Sequence, residues 1–264
     1  MFIKGILLLL AVISLSTGRL LPEPETRIIG GKDVDIESAP WQVSLRSFGG
    51  HICGGSIYNE SIIITAAHCF FNDDGTLQQA KDLTVLAGSA DKQSSATIVK
   101  VAKIKPHENY ISSSKGYDIG ILKLSEPLDL TTNKIQKIAL AEKDPAPGKK
   151  GRVTGWGYVK KALVSDHQGE LYTTYSPFHL HAVDIKIQQL GVCKKGFYEV
   201  PNNLFICAGS DGSTTCEGDS GGPLVVDNKL AGIVSFGYVF CTSLTVYTSA
   251  YQLSEWIRTN AASI

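Results

Sequence analysis

Along most of the chain, short runs of apolar and β-branched residues are separated by clusters of Gly, Ser, Asp and Pro, the spacing of strands rather than helices. Such runs occupy Trp41–Leu45, Ser61–Thr65, Leu83–Leu86, Thr97–Ile104, Ile119–Leu124, Val153–Trp156, Val183–Ile187, Leu224–Val226, Leu230–Phe236 and Thr245–Tyr247. Many short strands with glycine punctuation predict an all-β sandwich or barrel. A helical period shows only near the C-terminus, where Tyr251, Leu253, Trp256 and Ile257 share one apolar face within Ser249–Asn260. That segment predicts a docking helix. The charged and Pro/Gly-rich stretch Ala141–Lys150 is the best internal boundary, and no repeat is evident.

The N-terminus breaks the pattern. Lys4 precedes an uninterrupted apolar run from Gly5 to Ile13 that ends near Ser16-Thr17-Gly18, which reads as a secretory signal peptide over residues 1–18. The run falls short of the roughly 20 apolar residues of a membrane span, leaving a signal anchor as the alternative. Residues 19–27 are polar with two prolines and read as a linker before the abrupt apolar start Ile28-Ile29-Gly30-Gly31. Hydrophobic residues make up 43% of the 264 and charged residues 19%, enough to bury a core and too little charge for long disorder. The 25 basic and 25 acidic side chains cancel, and no long Lys/Arg run supplies a local excess, which argues against a nucleic-acid or membrane-surface partner. In a secreted chain the six cysteines read as three disulfides, with fifteen pairings open. Asn59-Glu60-Ser61 is a glycosylation sequon.

Chemistry concentrates in three segments: Thr65-Ala66-Ala67-His68-Cys69, Tyr117-Asp118-Ile119-Gly120 and Cys216-Glu217-Gly218-Asp219-Ser220-Gly221-Gly222-Pro223. A serine hydroxyl is a poor nucleophile at neutral pH and needs a base to take its proton. An imidazole, with a pKa near 6.5, suits that task, and a carboxylate on its far nitrogen fixes the tautomer. Together with Ile28-Ile29-Gly30-Gly31, Pro40-Trp41-Gln42-Val43-Ser44-Leu45 and Gly155-Trp156-Gly157, these blocks resemble the chymotrypsin/trypsin-like serine proteases over everything after Arg27. The resemblance implies two antiparallel six-stranded β-barrels closed by a C-terminal helix around Ser254–Thr259, barrel one over about 28–140 and barrel two over about 141–264. It implies His68, Asp118 and Ser220 as catalytic residues, with the Gly218 and Ser220 N–H groups receiving the oxyanion. It selects the pairings Cys53–Cys69, Cys193–Cys207 and Cys216–Cys241.

The same resemblance implies a precursor, with residues 19–27 as activation propeptide, cut between Arg27 and Ile28 so that the new Ile28 ammonium pairs with Asp219. Ser44 and His51 match residues that hold this aspartate in some inactive precursors; an ordinary strand serine and a packed histidine are the plain alternatives. Ser235 matches the serine that supports the buried aspartate, and Phe236 replaces the usual tryptophan. Thr214, followed by Thr215, stands where an aspartate would select Arg or Lys; Gly237 leaves the pocket mouth open and Thr245 narrows its depth. An uncharged P1 residue of small or moderate size is expected, with a basic-selective pocket through Asp211 or Glu217 as the alternative. Such an enzyme would need a separate trypsin-like protease to cut at Arg27.

Two segments, Phe70–Asp82 and Lys160–Pro177, read as loops longer than the family core, the first on the leaving-group side of the cleft. His179 and His181 would share one strand face but lack a third metal ligand, and Ser89–Ser94 lacks an acidic ladder for calcium. No metal or other cofactor is expected. The expected partners are protein or peptide substrates, the activating protease and protein inhibitors of the site. The sequence therefore predicts a secreted serine endopeptidase, with a catalytically silent homologue acting as a binding module as the competing class.

Overall fold

A computed structural model describes residues 31–264 apart from 167–168, 198–199, 201–202, 239–240 and 242. The signal, propeptide and Ile28 expectations lie outside the described residues. The architecture is two closed six-stranded antiparallel β-barrels with a C-terminal helix.

The first barrel runs β2 (Gln42–Ser47), β3 (Gly50–Asn59), β4 (Ile62–Thr65), β7 (Gly120–Leu124), β6 (Thr97–Pro106) and β5 (Leu83–Ala87), and closes through β2–β5 pairing. Its strands form because alternate residues enter one interior: Val43, Leu45, Ile57, Ile63, Val85, Leu122 and Leu124 are all buried in one cluster. The β2–β3 turn places Phe48 (φ 48°) and Gly49 (φ 84°) in the left-handed region, the twist a two-residue hairpin demands.

The second barrel runs β8 (Lys150–Gly155), β11 (His181–Gln188), β12 (Phe205–Gly209), β15 (Leu244–Ser249), β14 (Lys229–Gly237) and β13 (Pro223–Val226), with β13 returning to β8. Val153, Val183, Ile185, Ile206, Leu224 and Tyr247 fill its core. The short strand β1 (Lys32–Asp33) pairs with β11, so the N-terminal segment that the sequence division assigns to barrel one is stitched to barrel two. Helix α1 (Leu190–Gly196) carries Cys193, bonded to Cys207 on β12. Helix α2 (Ser254–Ser263) docks Ile257 into the barrel-one cluster beside Leu253, which precedes the helix, and Trp256 stacks on His107 at 4.7 Å while donating to Glu108 at 2.8 Å.

Two further differences from the sequence reading stand out. Much of Lys160–Pro177 is not a loop but a hairpin of β9 (Val159–Asp166) and β10 (Gly169–Tyr175), each strand pairing with the other. Strands β3 and β12 were hidden by Gly and Cys, which weaken the strand signal of Gly50–Asn59 and Phe205–Gly209. Between the barrels, Thr154 donates to the Gln42 side chain at 2.7 Å and the Gly54 N–H to the Ser220 carbonyl at 2.8 Å, fixing the walls of the cleft. No helix among the described residues is long and apolar enough to cross a membrane.

Candidate active site

His68 and Asp118 come from barrel one. His68 sits on a short 3-10 turn, Ala67–Phe70, after β4, anchored by the Cys53–Cys69 disulfide. Asp118 precedes β7 and follows Tyr117, whose left-handed φ of 59° turns the chain into the cleft. The Asp118 carboxylate is fully buried and accepts from His68 Nδ1 at 2.8 Å, from the His68 backbone N–H at 2.9 Å and from Ser235 Oγ at 2.5 Å. A β-bulge between Val234 and Phe236 aims Ser235 at it. Thr248 Oγ1 donates to the Asp118 carbonyl at 2.9 Å, a backbone contact the sequence does not signal.

This cage decides the protonation. Burial opposes the charge of Asp118, but the neighbouring His68 and three hydrogen bonds outweigh it and hold the carboxyl below the usual range. Burial likewise opposes an imidazolium at His68, yet attraction to Asp118 and the bond between them raise its pKa above 6.5. Because an ionised carboxylate only accepts, Nδ1 carries the proton and Nε2 of the neutral ring is a free base. His68 is 26% exposed and faces the groove that Ser220 also lines. Ser220 Oγ makes no hydrogen bond to His68, the looser arrangement common to sites without substrate.

Barrel two supplies Ser220 and its neighbours. Gly218 has φ 92°, which a side chain rarely adopts, and a Cβ there would lie 3.1 Å from Gly157 Cα. Among the described residues, the N–H groups of Gly218 and Ser220 have no acceptor, as an oxyanion site requires. The Asp219 carboxylate points away from them into the Gly155-Trp156-Gly157 turn and accepts from the Gly157 N–H at 2.8 Å and the Cys216 N–H at 3.0 Å. A Cβ on Gly155 or Gly157 would come within 2.1 or 2.3 Å of this carboxylate, so both glycines make room for it. Burial pushes Asp219 up to about 6 against the pull of the two N–H groups and of Lys92.

Two expected partners of Asp219 stand elsewhere. His51 donates from Nε2 to the Gly218 carbonyl at 2.9 Å, so its Nδ1, 2.7 Å from Ser44 Oγ, must accept. Burial lowers His51 to about 4 and keeps it neutral. Ser44 and His51 thus brace the oxyanion peptide rather than the aspartate. Lys92, which sequence reasoning did not single out, bonds Ser176, whose hydroxyl donates to the Trp156 carbonyl at 3.0 Å behind Asp219.

A cavity of about 250 Å³ lies between β14 and the Cys216–Cys241 disulfide, lined by Thr215, Ser220, Phe236, Gly237 and Thr245 among others. Thr245 Oγ1 lies 2.8 Å from both Thr214 Oγ1 and Thr215 Oγ1. Thr214, fully buried, stands behind Thr245 instead of lining the cavity. Phe236 packs edge-on against Phe197 and Phe205, which stiffens the wall. Glu217 is the one charged residue among the described lining, and it equally lines the groove on the other side of Ser220; Asp211 lines neither.

His181 is buried with Nδ1 2.9 Å from the His179 carbonyl, whereas His179 is exposed. The cluster Cys53, His68 and Cys69 has ligand-like spacing, but its sulfurs are joined in the disulfide.

The profile of the Trypsin family matches residues 28–257. The chain belongs to the trypsin family. Hypodermin-B of Hypoderma lineatum is 37% identical over 251 residues, covering 93% of this chain and 92% of that protein. Trypsin alpha of Drosophila erecta is 36% identical over 272 residues, covering 99% and 100%. Among solved structures, neuropsin, a serine protease expressed in the limbic system of mouse brain, is similar with TM-score 0.72 and 30% identity, over 88% of this chain and 98% of that one. As a trypsin-family member the chain is a serine endopeptidase, a hydrolase acting on proteins.

Proposed function

We propose that this trypsin-family endopeptidase is secreted as a precursor, activated by cleavage after Arg27, and selects an uncharged, small to moderate P1 residue. The observation that carries the specificity is that the cavity is lined by the neutral hydroxyls of Thr215 and Thr245, with that of Thr214 bonded behind Thr245. Neutral hydroxyls cannot offset the desolvation of a guanidinium or ammonium, whereas they and the apolar walls accept a compact uncharged side chain.

In the reaction, Ser220 Oγ attacks the scissile carbonyl while His68 Nε2 takes its proton. Asp118 holds the ring and stabilises the imidazolium. The Gly218 and Ser220 N–H groups bind the oxyanion, a donor pair of which each member contributes about 10²–10³ in rate. His68 then protonates the departing amine, and water repeats the sequence on the acyl-enzyme. Cleavage after Arg27 would free an ammonium at Ile28 to pair with Asp219. An enzyme with a neutral pocket does not cut after its own Arg27, so a separate trypsin-like protease performs that step.

Profiling P1 on a peptide library with protein cleaved at Arg27 tests this reading. Preference for residues such as Ala, Val or Leu supports it, and dominant cleavage after Lys or Arg assigns Glu217 the role of a basic selector instead. Fluorophosphonate labelling that Ser220→Ala abolishes is expected; no labelling of the cleaved protein would assign the chain to the non-catalytic class. Precursor incubated alone should stay intact, whereas added trypsin should process it; rapid concentration-dependent self-cleavage would refute the neutral pocket.

A further inference from the structure

We propose that Asn59 carries an N-linked glycan, attached in the secretory pathway, at the end of barrel one remote from the cleft. The proposal rests on the secretion reading above and assigns a modification site outside the catalytic machinery.

Asn59-Glu60-Ser61 is the one Asn-x-Ser/Thr sequence in the chain, with Glu rather than Pro at its centre. The chemistry needs an amide nitrogen and, two residues on, a hydroxyl. Nδ2 of Asn59 attacks the anomeric carbon of an oligosaccharide carried on a lipid pyrophosphate. The N–C bond forms as the sugar's C–O bond to the pyrophosphate breaks. The amide loses one proton to a base of the transferase, and the lipid pyrophosphate leaves with the bonding pair.

The fold puts this sequence where a bulky, solvated group fits. β3 ends at Asn59 and β4 starts at Ile62, so Glu60 and Ser61 form the tip of a hairpin. Asn59 Oδ1 accepts from the Ser61 N–H at 2.9 Å, which orients the amide and leaves Nδ2 without an acceptor among the described residues. Glu60 is exposed, and Asn59 and Ser61 are half-buried. The Leu124 N–H donates to the Ser61 carbonyl at 2.9 Å and the Leu128 N–H to the Glu60 carbonyl at 2.7 Å. Both are backbone bonds, so a sugar on Nδ2 breaks neither, and the intervening Ser125, Glu126 and Pro127 are exposed as well. Cys53, earlier on β3, lines the groove that contains His68. At about 3.3 Å per residue the strand carries Asn59 about 20 Å beyond it. The plain alternative makes Asn59 a turn residue whose side chain mimics a backbone bond, a task an aspartate performs equally.

The test expresses the full chain with its own signal in a eukaryotic secretory cell and measures the intact mass of the secreted protein. That mass should exceed the polypeptide's by one oligosaccharide, which peptide N-glycosidase removes, leaving an aspartate at position 59. Asn59→Asp keeps the oxygen that bonds Ser61 and loses the nucleophilic nitrogen; Ser61→Ala keeps bond and nitrogen and loses the hydroxyl. Each should abolish the excess, whereas Ser61→Thr should retain it. After cleavage at Arg27 all three should match the parent in kcat/KM on short peptides; a fall shared by the two unglycosylated variants would overturn the placement of the sugar away from the cleft. Secreted protein of bare polypeptide mass overturns the proposal, as does an excess that survives Asn59→Asp, and the secretion reading stands in both cases. A chain kept inside the cell with its signal uncleaved overturns the secretion reading, and the site falls with it.

Discussion

At the residue scale, the cage around Asp118 sets the pH response. His68 must be neutral to act as base, and its pKa is raised, so activity should climb with pH through a value above 6.5. Asp118→Asn replaces an acceptor with an amide that favours the wrong tautomer; kcat should fall by about 10⁴, and any residual acid limb should move to lower pH. Full kcat–pH profiles of both proteins check this. For stability the sign is the reverse: a raised folded pKa contributes below the unfolded value and is lost as pH rises through the folded one. Phe48 gives a second prediction. Asn tolerates the left-handed region better, so Phe48→Asn should stabilise the fold by roughly 0.5–1 kcal/mol, seen as a higher Tm.

At the element scale, legibility followed the residues that carry the pattern. Strands such as β5 and β14 show in the sequence because Val, Leu and Ile fill them, whereas β3 and β12 spend positions on Gly and Cys for close approach and disulfides. The catalytic blocks show because His68, Asp118 and Ser220 sit in local segments, each with distinctive neighbours. The Ser44–His51–Gly218 chain does not show, because its decisive acceptor is a backbone carbonyl 167 residues away from the histidine. Two elements then make predictions. Thr245→Gly on β15 removes the bridging hydroxyl and deepens the cavity, so relative kcat/KM should shift toward bulky aromatic P1 residues by about tenfold, read from the same peptide library. Ile257→Ala in α2 removes a fully buried side chain from the barrel-one cluster and should cost about 2–5 kcal/mol in denaturant unfolding.

At the scale of the whole molecule, activation and stability meet at Asp219. Among the described residues this buried carboxylate forms no ion pair, and burial raises it to about 6. Held above the range of a free aspartate by burial, it destabilises the uncleaved chain once ionised. The contribution of Asp219 to the stability of the uncleaved chain is therefore greatest at acid pH and declines as pH rises from the unfolded aspartate value through about 6. An Ile28 ammonium beside the carboxylate would stabilise its ionised form and remove that decline. The gain in Tm on cleavage after Arg27 should therefore be small near pH 4, grow by neutral pH, and vanish again as the ammonium itself deprotonates above its ordinary range of about 7.7–8.0. Calorimetry of precursor and cleaved protein across that range, each with Ser220→Ala to prevent autolysis, measures the difference directly. A gain independent of pH would mean that cleavage stabilises the barrels through contacts other than this ion pair, and activity retained well above pH 11, as an approximate limit for any paired amine, would say the same of catalysis.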